Sequence, residues 1–176
     1  MIMRPGQQLL LPANPLFIWG SLLAGLVGNI VLNIGVAGRS PWAPDLLVLV
    51  LAFWSVHQPL RVGIGVAFMF GIFMDVHQAA LLGQHALSYT ALSFLAISIH
   101  RRLLWFSVPS QALQVLPLFL ITHALELLTR MLGGGAFPGW LILLAPTLEA
   151  TLWPMVSILL LAPQRRAPDP DENRPL

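Results

Sequence analysis

Asp75, Glu126 and Glu149 each stand inside a long apolar stretch, with His77, His85 and His123 close to them in sequence. A carboxylate in such surroundings is costly unless it is paired, hydrated or neutral, so these residues carry whatever chemistry the chain has. Asp75 with His77 or His85 reads either as a substrate, proton or metal site, or as a helix cap at the turn around Gly83. Without a cationic partner, Asp75→Asn should be tolerated. His123 and Glu126 lie three apart and share a helical face, while Glu149 is central in its stretch, between Pro146 and Pro154. The three can form a proton relay or bind a cation, or pair with Asn29, Asn33 or Thr122 to fix helix register. His-x-x-Glu alone is not a metal motif, because it lacks the three or four converging ligands that a metal needs. No metal and no cofactor is expected. No nucleophile with an adjacent base and no phosphate-cradling glycine loop appears, so the chain does not read as an enzyme.

Two stripes of small residues accompany these polar groups. Gly63, Ala67, Gly71 and Asp75 fall four apart, as do Ser21, Gly25, Asn29 and Asn33, with Gly28 beside the latter. Small residues at this spacing let another helix approach closely where lipid removes the hydrophobic drive. Each stripe serves either packing within the bundle or contact with a partner; a partner-facing stripe would stay exposed in the monomer. Arg61, after Pro59, can bind lipid phosphate or a cytoplasmic partner, or simply fix topology.

The elements that position these residues follow from composition. Of 176 residues, 57% are hydrophobic and 9% charged. Soluble domains carry about 25% charged residues, so the outer surface here must face lipid. A net charge of +2 excludes a nucleic-acid partner, and the absence of cysteine excludes disulfides and sulfur-built zinc sites. Six apolar stretches run over 16–36, 43–57, 62–82, 86–99, 111–132 and 140–162. Four of them are long enough, at about 1.5 Å per residue, to cross a core of about 30 Å. The second and fourth are short: core helices, tilted spans or re-entrant segments. The fourth can be lengthened through Arg101 and Arg102 into Leu103, Leu104, Trp105 and Phe106.

The expected fold is an all-α integral membrane protein of six transmembrane helices, a single domain over 1–162 with a disordered cytoplasmic tail over 163–176. Six spans put Arg4, Arg61, Arg101, Arg102, Arg165, Arg166 and Arg174 on one side and Arg39 and Arg130 on the other. Arginine marks the cytoplasmic side, so both termini are expected there. Trp42 and Trp140 then belong to the outer interface, and Trp19 and Trp105 to the inner one. The first stretch is too long for a signal-peptide core and reads as a retained anchor.

From Pro44 to Leu87 the chain reads PDLLVLVLAFWSVHQPLRVGIGVAFMFGIFMDVHQAALLGQHAL. This block resembles the MreD family of rod shape-determining proteins. The likeness rests on the helix start Pro44-Asp45, Trp54, the Pro59-x-Arg61 turn, Gly71-x-x-x-Asp75, and the turn formed by Leu82, Gly83, Ala86 and Leu87. Trp153-Pro154 in the last stretch agrees with the family's carboxy-terminal region. The resemblance implies a multi-pass protein of the bacterial inner (cytoplasmic) membrane, part of the elongation machinery (rod complex). Its implied partners are MreC and, indirectly, MreB, a wall glycosyltransferase and a penicillin-binding transpeptidase; a homodimer stays open. It also implies a bundle similar to the S components of energy-coupling transporters. The leading expectation is a non-enzymatic scaffold that binds MreC, with Gly71→Leu weakening the pair. The alternative is a small-molecule or lipid-binding protein of the S-component type, with the intramembrane acids and histidines lining a cavity.

Overall fold

Capping side chains set the helix starts. The computed structural model describes residues 13–36 and 40–164. Helix α1 (Pro15–Val31) begins behind Asn14, whose side chain accepts the Leu16 N–H at 3.0 Å, with Pro15 where no backbone donor is needed. It continues through a wider π-type turn, Leu32–Val36. Helix α2 (Leu46–His57) starts at Asp45, whose Oδ1 accepts the N–H groups of Leu47 and Val48 at 2.9 and 3.1 Å. Helix α3 (Ile64–Gln78) ends where Ala79 turns left-handed (φ 48°), and Gly83 (φ 102°) leads into α4 (Gln84–Leu103). A bare Cα is needed at Gly83, since a side chain is disfavoured at that φ. Helix α5 (Val108–Leu132) contains Pro117. Helix α6 (Leu144–Leu161) contains Pro154 and lies between the 3₁₀ turns Trp140–Leu143 and Ala162–Gln164.

Two boundaries differ from expectation. The third stretch is shorter than 62–82, because the chain turns at Ala79. The fourth is longer than 86–99, because Asp75 lets α4 begin at Gln84, and Leu103 is buried at its far end. Pro163 and Gln164 are not part of a disordered tail: Gln164 is buried and donates to the Leu160 carbonyl at 2.9 Å. The rest of that expected tail, with Arg165, Arg166 and Arg174, lies outside the described residues, as do Arg4 and Arg39.

Helix α2 is the core. It packs against α1, α4 and α6; α4 also packs against α3 and α5, and α5 against α6. Leu47 to Leu49 and Leu51 to Val56 are buried, so apolarity all round α2 reflects protein neighbours rather than lipid. Phe53 and Trp54 meet at 5.0 Å between ring centres, and Trp153 lies 6.3 Å from both Phe53 and Phe119. The buried indoles find partners: Trp54 Nε1 donates to Ser21 Oγ at 2.7 Å and Trp153 Nε1 to Gln111 Oε1 at 3.2 Å.

The exterior is apolar. Leu16, Leu23 and Val27 on α1, Phe68, Met69, Phe73 and Val76 on α3, and Met155, Ile158 and Leu159 on α6 all point outward. Among the described residues, three helical segments are long and apolar enough to cross a membrane: Pro15–Gly35, Val108–Leu132 and Trp140–Gln164. Helices α2 and α3 are apolar but shorter, and α4 carries His100, Arg101 and Arg102 in its last turn.

Candidate functional site

The C-terminal ends of α1, α3 and α5 meet the N-terminal ends of α2, α4 and α6 around one open cavity of about 570 Å³. Consecutive helices therefore run antiparallel, and this end collects the polar side chains. Exposed Trp42 and Trp140 lie at this end, and Trp19 and Trp105 at the other. Arg130 lines the cavity, whereas Arg61, Arg101 and Arg102 lie at the opposite end.

Asp75 is a cap, and it has a partner. Its Oδ2 accepts the Gly83 N–H at 2.7 Å, and its Oδ1 accepts the His85 N–H at 2.7 Å and faces His85 Nδ1 at 2.8 Å. One carboxylate thus serves the orphan donors at the start of α4 and fixes a histidine. The premise of a lone acid fails, so tolerance of Asp75→Asn is no longer expected. His77 is exposed and belongs neither to this cap nor to the cavity lining.

Glu149 is fully buried in α6 and gathers groups from two other helices. Its Oε1 accepts the Asp45 N–H at 2.8 Å and lies 2.8 Å from His123 Nε2; its Oε2 has no partner. His123 Nδ1 lies 3.5 Å from Glu126 Oε2, so one imidazole stands between two acids. Ser88 Oγ lies 3.0 Å from Glu126 Oε1 and also from the His85 carbonyl, joining this set to the Asp75 cap. Asp45, on its other oxygen, accepts the hydroxyl of Tyr89. The result is one connected polar network through α2, α3, α4, α5 and α6. The acids pair within the bundle through Asp45, Ser88 and Tyr89, and not with Asn29, Asn33 or Thr122. Asn29 contacts Met74 Sδ at 3.9 Å, and Thr122 donates to the Leu118 carbonyl of its own helix at 2.8 Å.

Sequence reasoning treated Asp45 only as a helix start and did not select Tyr89 or Ser88. A signal was present: Tyr89 is the only tyrosine, and His85, Ser88, Tyr89 and Ser93 repeat at helical spacing on one face of α4. Ser93 Oγ meets Ser55 Oγ of α2 at 3.0 Å, so that whole face turns inward.

Both small-residue stripes are used within the chain. A methyl group added at Gly71 would lie 2.6 Å from the Ala86 nitrogen, so α3 and α4 cross there in backbone contact. Ala67 and Gly71 are buried. Gly25 and Gly28 face Val50 and Leu46 of α2, at 3.2 and 3.3 Å from the position of an added methyl, and Ser21 holds the Trp54 indole. Gly71→Leu therefore probes the fold, and the expectation that it selectively weakens a partner contact is withdrawn. Of the resembling residues, Asp45, Trp54, Gly71, Asp75, Ala86 and Trp153 are buried; Pro44, Pro59, Gly83 and Pro154 are partly covered, and Arg61, Leu82 and Leu87 are exposed. Arg61 Nη1 donates to the Ala13 carbonyl at 2.8 Å, clasping the segment before α1.

No group of three or more metal-ligating side chains converges among the described residues. A lipid-facing helical bundle with a buried polar network at one end is the core of a helical membrane protein, without an assembled nucleophile or metal centre among its described residues. The profile of the MreD family, rod shape-determining protein MreD, matches residues 13–162. The chain is 29% identical over 149 residues to the rod shape-determining protein MreD of Haemophilus influenzae, covering 81% of this chain and 89% of that relative. No solved structure matches it. The chain belongs to the MreD family, and its role lies in rod shape determination. That family is a shape-determining one and is not a known enzyme family.

Proposed function

We propose that the chain is a non-enzymatic, multi-pass scaffold of the inner membrane that binds MreC and helps to place side-wall peptidoglycan synthesis. Family membership across 150 of 176 residues (13 to 162 inclusive) is the observation that carries this reading. The outward faces add support, since their apolar side chains suit contact with lipid and with other membrane helices. All six helices span or brace the bilayer, and both termini lie in the cytoplasm. The arginine placement favours this orientation, with Arg61, Arg101 and Arg102 at one end and Arg130 at the other. Since the small-residue stripes face inward, MreC meets side-chain ridges such as Leu23 and Val27 on α1 or Phe73 and Val76 on α3.

The chain contains no cysteine, so single cysteines report cleanly. Ala136→Cys, at an exposed position of the same end as Arg130, should react with a membrane-impermeant maleimide in spheroplasts, and Leu60→Cys only after lysis; the reverse pattern refutes the orientation. Mild detergent extraction of a tagged chain should recover MreC, and depletion should round the cells. Rod-shaped cells after depletion, with no MreC recovered, overturn the proposal.

A further inference from the structure

The network and the cavity together have a charge problem. Glu126 and Glu149 are joined through His123, Asp45 reaches Glu149 through its backbone N–H, and every ion pair among the described residues uses a histidine. Glu126 and Glu149 share that one imidazole, and the Glu149 Oε2 atom is buried without a donor. Excess negative charge of this kind is costly in a low-dielectric setting. Arg130 lines the same cavity one helical turn from Glu126, yet forms no ion pair with it. His85, also in the wall, has Nδ1 engaged by Asp75, which leaves its Nε2 for whatever enters. The volume, about 570 Å³, falls within the range of small-molecule sites. A bare divalent metal does not fit, since no three ligating side chains converge.

We propose that this cavity binds a small molecule or headgroup bearing a primary ammonium, its positive end toward Glu126 and an anionic end toward Arg130. The ammonium supplies a positive charge beside Glu126 and three hydrogen-bond donors to a wall rich in acceptors. Arg130, exposed and without an ion pair among the described residues, supplies the complementary donor fork for a phosphate or carboxylate a few ångströms away. Two sources share this chemistry: the ethanolamine phosphate headgroup of a phospholipid, and a free zwitterion of similar size. This proposal does not depend on binding to MreC.

The test uses the full chain in detergent and in nanodiscs. Phosphoethanolamine, ethanolamine and phosphocholine are the soluble probes; nanodiscs carry phosphatidylethanolamine or phosphatidylcholine. Phosphoethanolamine should raise the melting temperature and give a measurable Kd, while phosphocholine, whose nitrogen donates no hydrogen bond, should bind at least about tenfold more weakly. Retention of phosphatidylethanolamine over phosphatidylcholine in native mass spectrometry, without binding of soluble phosphoethanolamine, assigns the lipid source. Binding of the soluble probe assigns the free one. Glu126→Gln should weaken the preferred ligand by about tenfold or more. Arg130→Gln, at an exposed position that leaves the fold intact, should weaken phosphoethanolamine but not ethanolamine. No binding of any soluble probe together with no lipid preference overturns the proposal. So does equal affinity of Glu126→Gln and Arg130→Gln with the parent chain.

Discussion

Gly71→Ala adds one methyl group at the crossing of α3 and α4, and its effect can be worked from the structure. The new carbon would lie 2.6 Å from the Ala86 nitrogen and 2.7 Å from the His85 carbonyl oxygen. Both are backbone atoms in the first turn of α4, so no side chain can swing aside. Restoring contacts of about 3.5 Å requires the helices to part by roughly 1 Å. Asp75 lies one turn further along α3, and its 2.7 Å bonds to the Gly83 and His85 N–H groups span the same gap. Overpacking costs about 1–3 kcal/mol, and weakening the cap adds about 1 kcal/mol. The melting temperature in detergent should fall by roughly 5–15 °C, at about 2–4 °C per kcal/mol for a chain of this size. Gly65→Ala is the control on the same helix, because nothing lies within 4 Å of a methyl there. It should leave stability unchanged or raise it by up to about 1 kcal/mol, since alanine favours a helix over glycine. Fluorescence-detected size exclusion after a heating series separates the two. If both variants melt within about 2 °C of the parent, the close crossing is not a determinant of the fold.

Asp75→Asn keeps the shape of the cap but replaces one acceptor oxygen with a donor amide facing backbone N–H groups. It should lower stability by about 1–3 kcal/mol, read as a lower melting temperature, and normal melting would refute the capping role. Tyr89→Phe removes the hydroxyl that Asp45 accepts; it should cost a similar amount, about 1–3 kcal/mol, and slow no partner binding once the protein is folded. His77→Ala changes an exposed residue outside the network, and its melting should stay within about 0.5 kcal/mol of the parent. A larger loss would place His77 in a contact that the monomer does not display.

What could be read from the sequence was local. Pro44-Asp45 marks the start of α2 because the bonds from Asp45 to Leu47 and Val48 span two and three residues. The same holds for the turn at Gly83, whose conformation glycine alone favours. The stripes on α1 and α3 were legible as surfaces of close approach, since spacing of four defines a face. Which helix each face meets was not, because that choice is made by residues far along the chain. Gly25 is opposed by Val50 and Gly71 by Ala86, and no periodicity within one helix encodes the pairing. Helix α2 was ambiguous for a related reason: uniform apolarity is the same answer to lipid and to a protein core. Neighbours on every side resolve it.

The polar network was the least legible part, and its connectivity explains why. Tyr89 reaches back 44 residues to Asp45, and Asp45 donates across 104 residues to Glu149. In the sequence, Asp75 reads as one site, His123, Glu126 and Glu149 as another, and Asp45 only as a helix start. Brought to one end, the four acids divide by role according to their donors. Asp75 is satisfied by the start of α4, and Asp45 by the start of α2 and Tyr89. Glu126 and Glu149 share a single histidine, and Glu149 still has an oxygen without a partner. Capping therefore accounts for two of the acids without any ligand. The residual charge sits on the other two, tied to the wall of the one polar cavity described at that end, and that is where a bound cation would do what the fold alone does not.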